Sequence, residues 1–104
     1  MIKSVDLFGR KIKIVLVKEM PPGGENAVGL YYSAEAKILI LNSLSEYDRY
    51  EVLFHEMFHA AMDRLGFRQS RMSHDVHEML CEMFARLIMD HFVLKQKKRR
   101  TTRK

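Results

Sequence analysis

Glu51-Val52-Leu53-Phe54-His55-Glu56-Met57-Phe58-His59-Ala60-Ala61-Met62 is the stretch on which the reading of this chain turns. Its residues are strong helix formers, and apolar side chains fall on nearly every side, as in a helix buried within a fold. A buried helix does not ordinarily carry His, Glu and His at its centre. On a helix, positions 55 and 59 share a face, with Cβ atoms about 5–6 Å apart, so both imidazoles can reach one ion at the Zn–N distance of about 2.0–2.1 Å. The 3.6-residue period turns Glu56 about 100° from His55. That removes it from the ligand set but leaves it able to act on water beside the ion, the arrangement of an H-E-x-x-H site. The plainer reading, two core histidines satisfied by hydrogen bonds, has to be weighed against a second set of donors further along the chain.

That set lies at 74–82. A catalytic zinc generally takes three protein ligands and keeps one position open, and the motif supplies two. A third histidine in the form H-E-x-x-H-x-x-G-x-x-H would need Gly at 62 and His at 65, where this chain has Met62 and Leu65. The remaining donors are His74, His77, Glu78, Cys81 and Glu82. Glu78 and Glu82 are four apart and share a helix face with the small residues Cys81 and Ala85, which would let that face approach the motif helix closely. Acids on such a face need a partner, since burying a charge unpaired is costly. Glu78 is the favoured third ligand; Glu82 is the alternative, or a hydrogen-bond partner of a ligating histidine. His74 and His77 are expected on the outer side or near the cleft mouth, and Cys81 as a small buried hydrophobe. Asp63, one turn beyond His59, is placed either to orient it or to pair with a basic residue at the surface. Tyr31, Tyr32 and Tyr47 offer phenols but are first of all packing residues, and methionines such as Met57, Met62, Met79 and Met83 read as core filler.

Around these two helices the chain is short and simply organised. Its 104 residues make one domain with enough apolar content, 47%, for a modest core. Residues 2–8 and Lys11–Lys18 read as a strand pair around a turn at Gly9-Arg10. Pro21-Pro22-Gly23-Gly24 places a loop over 19–26, and Ala27–Tyr32 and Lys37–Leu41 are two more short strands around a turn near 33–35. Ser43 with Glu46 has capping-box spacing for the first helix, with Ser45 and Asp48 a second choice. That helix is expected to run to about Leu65, closed by Gly66. Phe67–Met72 is the connection, and Ser73 caps a second helix from His74 to about Phe92. Helices joined so briefly pack antiparallel. The expected fold is α+β: a small twisted sheet of three or four strands on an antiparallel helix pair that holds zinc.

The net charge of +5 is misleading as a guide to partners. Seven of the 18 Lys and Arg fall in residues 95–104, which hold none of the 13 Asp and Glu, so residues 1–94 are slightly acidic. The expected division is a domain over 1–94 and a basic, solvated tail over 95–104, with weak nucleic-acid contact through the tail. One cysteine permits no internal disulfide and suits a reducing compartment. Charged residues interrupt every apolar run near the N-terminus, and nothing approaches the roughly 20 apolar residues of a membrane span. A cytoplasmic protein with no membrane association is expected; oligomeric state is not legible.

His55-Glu56-Met57-Phe58-His59-Ala60 followed by Glu78-Met79-Leu80-Cys81-Glu82-Met83-Phe84-Ala85 resembles the gluzincin-type zinc metallopeptidases. The layout is similar to minimal gluzincins and to the ImmA/IrrE-type peptidases of bacteria and phages, with Cys81 in place of an alanine. It spans roughly residues 27–90. The resemblance implies zinc held by His55, His59 and Glu78, Glu56 as catalytic base, a peptide or protein substrate, and an edge strand before the motif helix, here Ala27–Tyr32, along which extended substrate pairs. SprT-like proteases fit less well, for want of their histidine-glycine pair and zinc ribbon. Two other classes stay open: a zinc-binding or regulatory domain without turnover, and a nucleic-acid-associated protein that binds through its tail.

Overall fold

The computed structural model describes residues 1–65 and 73–93. Strands β1 (Ser4–Leu7), β2 (Arg10–Val17), β3 (Gly29–Tyr32) and β4 (Lys37–Leu41) form one sheet, followed by helices α1 (Glu46–Arg64) and α2 (His74–Ile88). A π-helical turn, Met89–Val93, continues α2. The fold is α+β, as expected. The order across the sheet is β1-β2-β4-β3, with β2 and β4 parallel and both other pairs antiparallel.

The first hairpin turns one residue earlier than Gly9-Arg10. Leu7 pairs with Arg10, which leaves Phe8 and Gly9 as a two-residue loop, and both have positive φ, 51° and 83°. That is the backbone of a type I′ turn, whose twist matches the flanking strands. The chain then passes through the Pro-Gly loop, where Gly23 has φ 94° and Gly24 N–H donates to the Pro21 carbonyl at 3.0 Å. It returns as β3 and doubles back into β4.

Period-2 alternation puts Ile12 and Ile14 of β2 on one face, and Ile14 pairs with Ile38 of β4. Together with Ile40 and Leu53 of α1 these form the core, each worth about 1.5–3 kcal/mol in apolar burial. Helix α1 packs across β3 and β4, and α2 packs on α1. The contacts Glu51–Arg86, His55–Glu82 and His59–Glu78 run in opposite directions along the two helices, so the pair is antiparallel. With partners on two sides, α1 is half-buried almost all round, and Leu53, Glu56 and Ala60 are its buried positions.

Both helix starts are capped by serine. For α1 it is Ser45, not Ser43: the Asp48 N–H donates to Ser45 Oγ at 3.1 Å. Ser43 is taken up in the turn that leads out of β4, where Leu44 N–H donates to the Leu41 carbonyl. Ser73 caps α2 by accepting from the Val76 N–H at 3.2 Å. The expected single helix to about Phe92 changes at Met89, where the last turn widens to π geometry. Gly66, the connection 67–72 and the tail 95–104 lie outside the described residues.

The buried stripe of α2 is His77, Cys81 and Ala85. Val76, Met79, Met83 and Leu87 are exposed, whereas Phe84, also partly exposed, stacks on Phe58 of α1 with ring centroids 4.6 Å apart. Met79 and Met83 are therefore not core filler, whereas Met20 and Met89 are buried. Among the described residues, no helix is long and apolar enough to cross a membrane.

Candidate metal centre

Helix α1 carries His55 and His59 on the side that faces α2, with their ring centroids 5.1 Å apart. From α2 the Glu78 carboxylate reaches both. Its Oε1 lies 3.3 Å from His55 Nε2 and its Oε2 2.9 Å from His59 Nε2. Glu82, one turn on, faces the other nitrogen of His55: Oε2 is 3.6 Å from Nδ1, an ion-pair rather than a hydrogen-bond distance. The two glutamates thus take different places. Glu78 spans the Nε2 atoms of His55 and His59, and Glu82 stands at the Nδ1 side of His55.

The phase of α2 explains this. Positions 77, 81 and 85 point at α1, so Glu78 and Glu82 sit on the flank of the contact rather than at its centre, half-exposed. It also overturns the expected place of His77. That residue is 5% exposed, and its Nε2 lies 3.1 Å from His59 Nδ1. Both ring nitrogens of His59 therefore have partners, Glu78 on one side and His77 on the other. The Nδ1 of His77 is buried without a hydrogen-bond partner among the described residues. The signal for His77 was in the sequence: Cys81 and Ala85 are small, and the same i, i+4 step back from Cys81 arrives at His77.

Cys81 is fully buried, as expected of a small hydrophobe, but it is not far from the histidines. One donor atom each from His55, His59 and Cys81 lie within 4.8 Å of one another. Burial first, then Glu78, Glu56 and Glu82, push its thiol up to about 12. His59 goes the other way. Desolvation lowers its pKa from 6.5 to about 4, opposed by Glu78 and reinforced by His55, His77 and His74. A neutral imidazole is the form that binds metal. Two imidazoles, a carboxylate spanning them and a thiol beneath are nitrogen, oxygen and sulfur donors of the kind zinc takes, and the residues fit such an ion.

Glu56 occupies the sheet-facing stripe with Leu53 and Ala60. Its pKa is raised from 4.5 to about 7, chiefly by burial and further by Glu78, with His55 opposing. Strand β3 makes room for it. A Cβ at Gly29 would collide with Val52 Cγ1 and stand 3.3 Å from Glu56 Cγ, so the absence of a side chain at 29 lets α1 lie close against the strand. The end of β3 is tied to the same helix by Asp63, whose Oδ2 accepts from the Tyr31 hydroxyl at 3.1 Å and from Ser33 Oγ at 2.8 Å. Asp63 is thus engaged with β3, and Tyr31 with Asp63. Burial is the main cause that raises the Tyr31 pKa.

Comparison with protein-family models, curated proteins and solved structures gives no match for this chain.

Proposed function

We propose that the chain is a zinc-dependent peptidase in which His55, His59 and Glu78 hold the ion and Glu56 is the base. The observation that carries the reading is the span of Glu78, one carboxylate oxygen on the Nε2 of each motif histidine. Zinc bound there supplies a Lewis acid that polarises the scissile carbonyl and acidifies water. The rest falls to the chain's own residues. Glu56, buried beside the histidines and titrating near neutrality in the metal-free chain, takes a proton from the attacking water and returns it to the leaving amine. His77 holds the His59 ring from behind, and Glu82 stands at Nδ1 of His55.

A peptide substrate is supported by β3, which is an edge strand of the sheet and backs onto Glu56 through Gly29. An extended peptide can add to such an edge by main-chain hydrogen bonds, without a deep pocket. The lone thiol of a metal-binding chain favours the cytoplasm as its compartment.

Elemental analysis and one conservative variant test the reading. Protein prepared without chelator should carry about one zinc per chain. Glu56→Gln should keep the zinc and lose at least about a hundredfold in cleavage of a peptide library. Equal cleavage by both proteins, or no zinc uptake at micromolar concentration, refutes it. Glu78→Ala should weaken zinc binding more than Glu82→Ala, and the reverse ranking would move the third ligand one turn along α2.

A further inference from the structure

The proposed peptidase site leaves one adjoining donor unused. Cys81 follows Glu78 by three residues on α2, so the two project from neighbouring positions on one side of the helix. Their surroundings differ. The Glu78 side chain is 40% exposed and meets the histidines from the open side, whereas Cys81 has no exposure and meets them from the interior. Zinc ligands in tetrahedral geometry stand roughly 3.3–3.6 Å apart, given the Zn–N and Zn–S bond lengths. The His55, His59 and Cys81 donors lie within 4.8 Å of one another, so they need to close by no more than about 1.5 Å, within the reach of side-chain torsions.

We propose that Cys81 Sγ ligates the same cation as His55 and His59, from the inner side of the helix pair. The inference rests on the reading of these histidines as metal ligands and adds to it. In the step, the S–H bond breaks, a sulfur–metal bond forms and the proton leaves to solvent. With Glu78 on the outer side, the resting site then has four protein donors, the closed arrangement of a structural zinc centre. Water takes a coordination position when one of these donors withdraws, so the thiolate would modulate turnover rather than supply it. A thiolate also shifts metal preference toward zinc, cadmium and cuprous copper and away from manganese and magnesium.

Cobalt(II) loaded into the full chain in place of zinc reads this directly. One cobalt per chain with a near-ultraviolet sulfur-to-cobalt charge-transfer band is the expected result, the band disappearing in Cys81→Ser while one cobalt remains bound. Cadmium titrated into the unsubstituted chain gives a second readout that needs no variant: a sulfur-to-cadmium band that saturates at one equivalent. One metal bound with neither band, or a band that survives in Cys81→Ser, overturns thiolate ligation and leaves the peptidase reading standing. Failure to bind cobalt, cadmium or zinc at all overturns both.

Discussion

Glu56→Gln should stabilise the metal-free protein, and by an amount that depends on pH in a direction the structure fixes. Glu56 is buried on the sheet-facing side of α1, and its pKa rises from 4.5 to about 7. A carboxyl whose folded-state pKa lies above its unfolded value binds protons more tightly in the folded state. The stability it contributes is fully present below about pH 4.5 and lost as pH climbs through about 7. Over that span the difference is about 3 kcal/mol. Glutamine has the same shape and no charge to bury, so it does not suffer this loss. Urea denaturation with chelator present, at intervals from about pH 4 to pH 8, measures it. The stability of Glu56→Gln relative to the parent should rise by about 3 kcal/mol across the range, a shift in midpoint of about 1–3 M urea. His59 pulls the other way in both proteins. Its lowered pKa makes stability grow as pH rises from about 4 through 6.5, and the subtraction removes it. A difference between the two proteins that stays flat with pH refutes the placement of a desolvated carboxyl at 56. Saturating zinc should flatten the curve, because a nearby cation favours the ionised carboxylate.

Substitutions at three further places probe the frame of the site. His77→Phe removes the partner of His59 Nδ1 and should lower zinc affinity about 10–100-fold in competition with a chelating dye; unchanged affinity would mean that His77 does not hold the ring. Gly29→Ala sets a methyl group against Val52 and should cost about 1–3 kcal/mol in chemical denaturation. Most of that loss should be recovered in Gly29→Ala with Val52→Ala, and a cost that persists in the pair would place the strain elsewhere. Ser45→Ala should cost about 1 kcal/mol and Ser43→Ala much less; the opposite order would shift the start of α1.

What could be read from the sequence was local. The β-branched run of β2, the two short strands, both helices and the Ser73 cap follow from period, propensity and capping chemistry. So does the face shared by His55 and His59. The parallel pairing of β2 with β4 was not legible, because it joins segments separated by the Pro-Gly loop and by β3, and no short-range pattern encodes it. The choice of Ser45 over Ser43 depended on how many residues the exit from β4 consumes. On α2 the small residues Cys81 and Ala85 mark the contact face, but whether His77 or the two glutamates complete it depends on the angle at which α1 packs, and the packing takes His77 and leaves Glu78 and Glu82 on the flank. That is why His77 came out buried, why Met79 and Met83 came out exposed, and why Cys81 became a neighbour of the histidines rather than inert filler.

The order of strands in the sheet also divides the labour of the chain. Every side chain assigned to the candidate site, with Gly29 and the Tyr31–Asp63 tie, belongs to residues 29–82, whereas β1 and β2 contribute none and serve the core through Ile12 and Ile14. If the chain is the peptidase proposed above, damage to the N-terminal hairpin should act on the population of folded molecules and not on their turnover. A variant such as Ile12→Ala should yield less active protein per cell, yet the molecules that fold should each bind metal and cleave at the parental rate. Normalising activity to bound zinc separates the two kinds of defect, and a drop in turnover per zinc in such a variant would tie the hairpin to the chemistry.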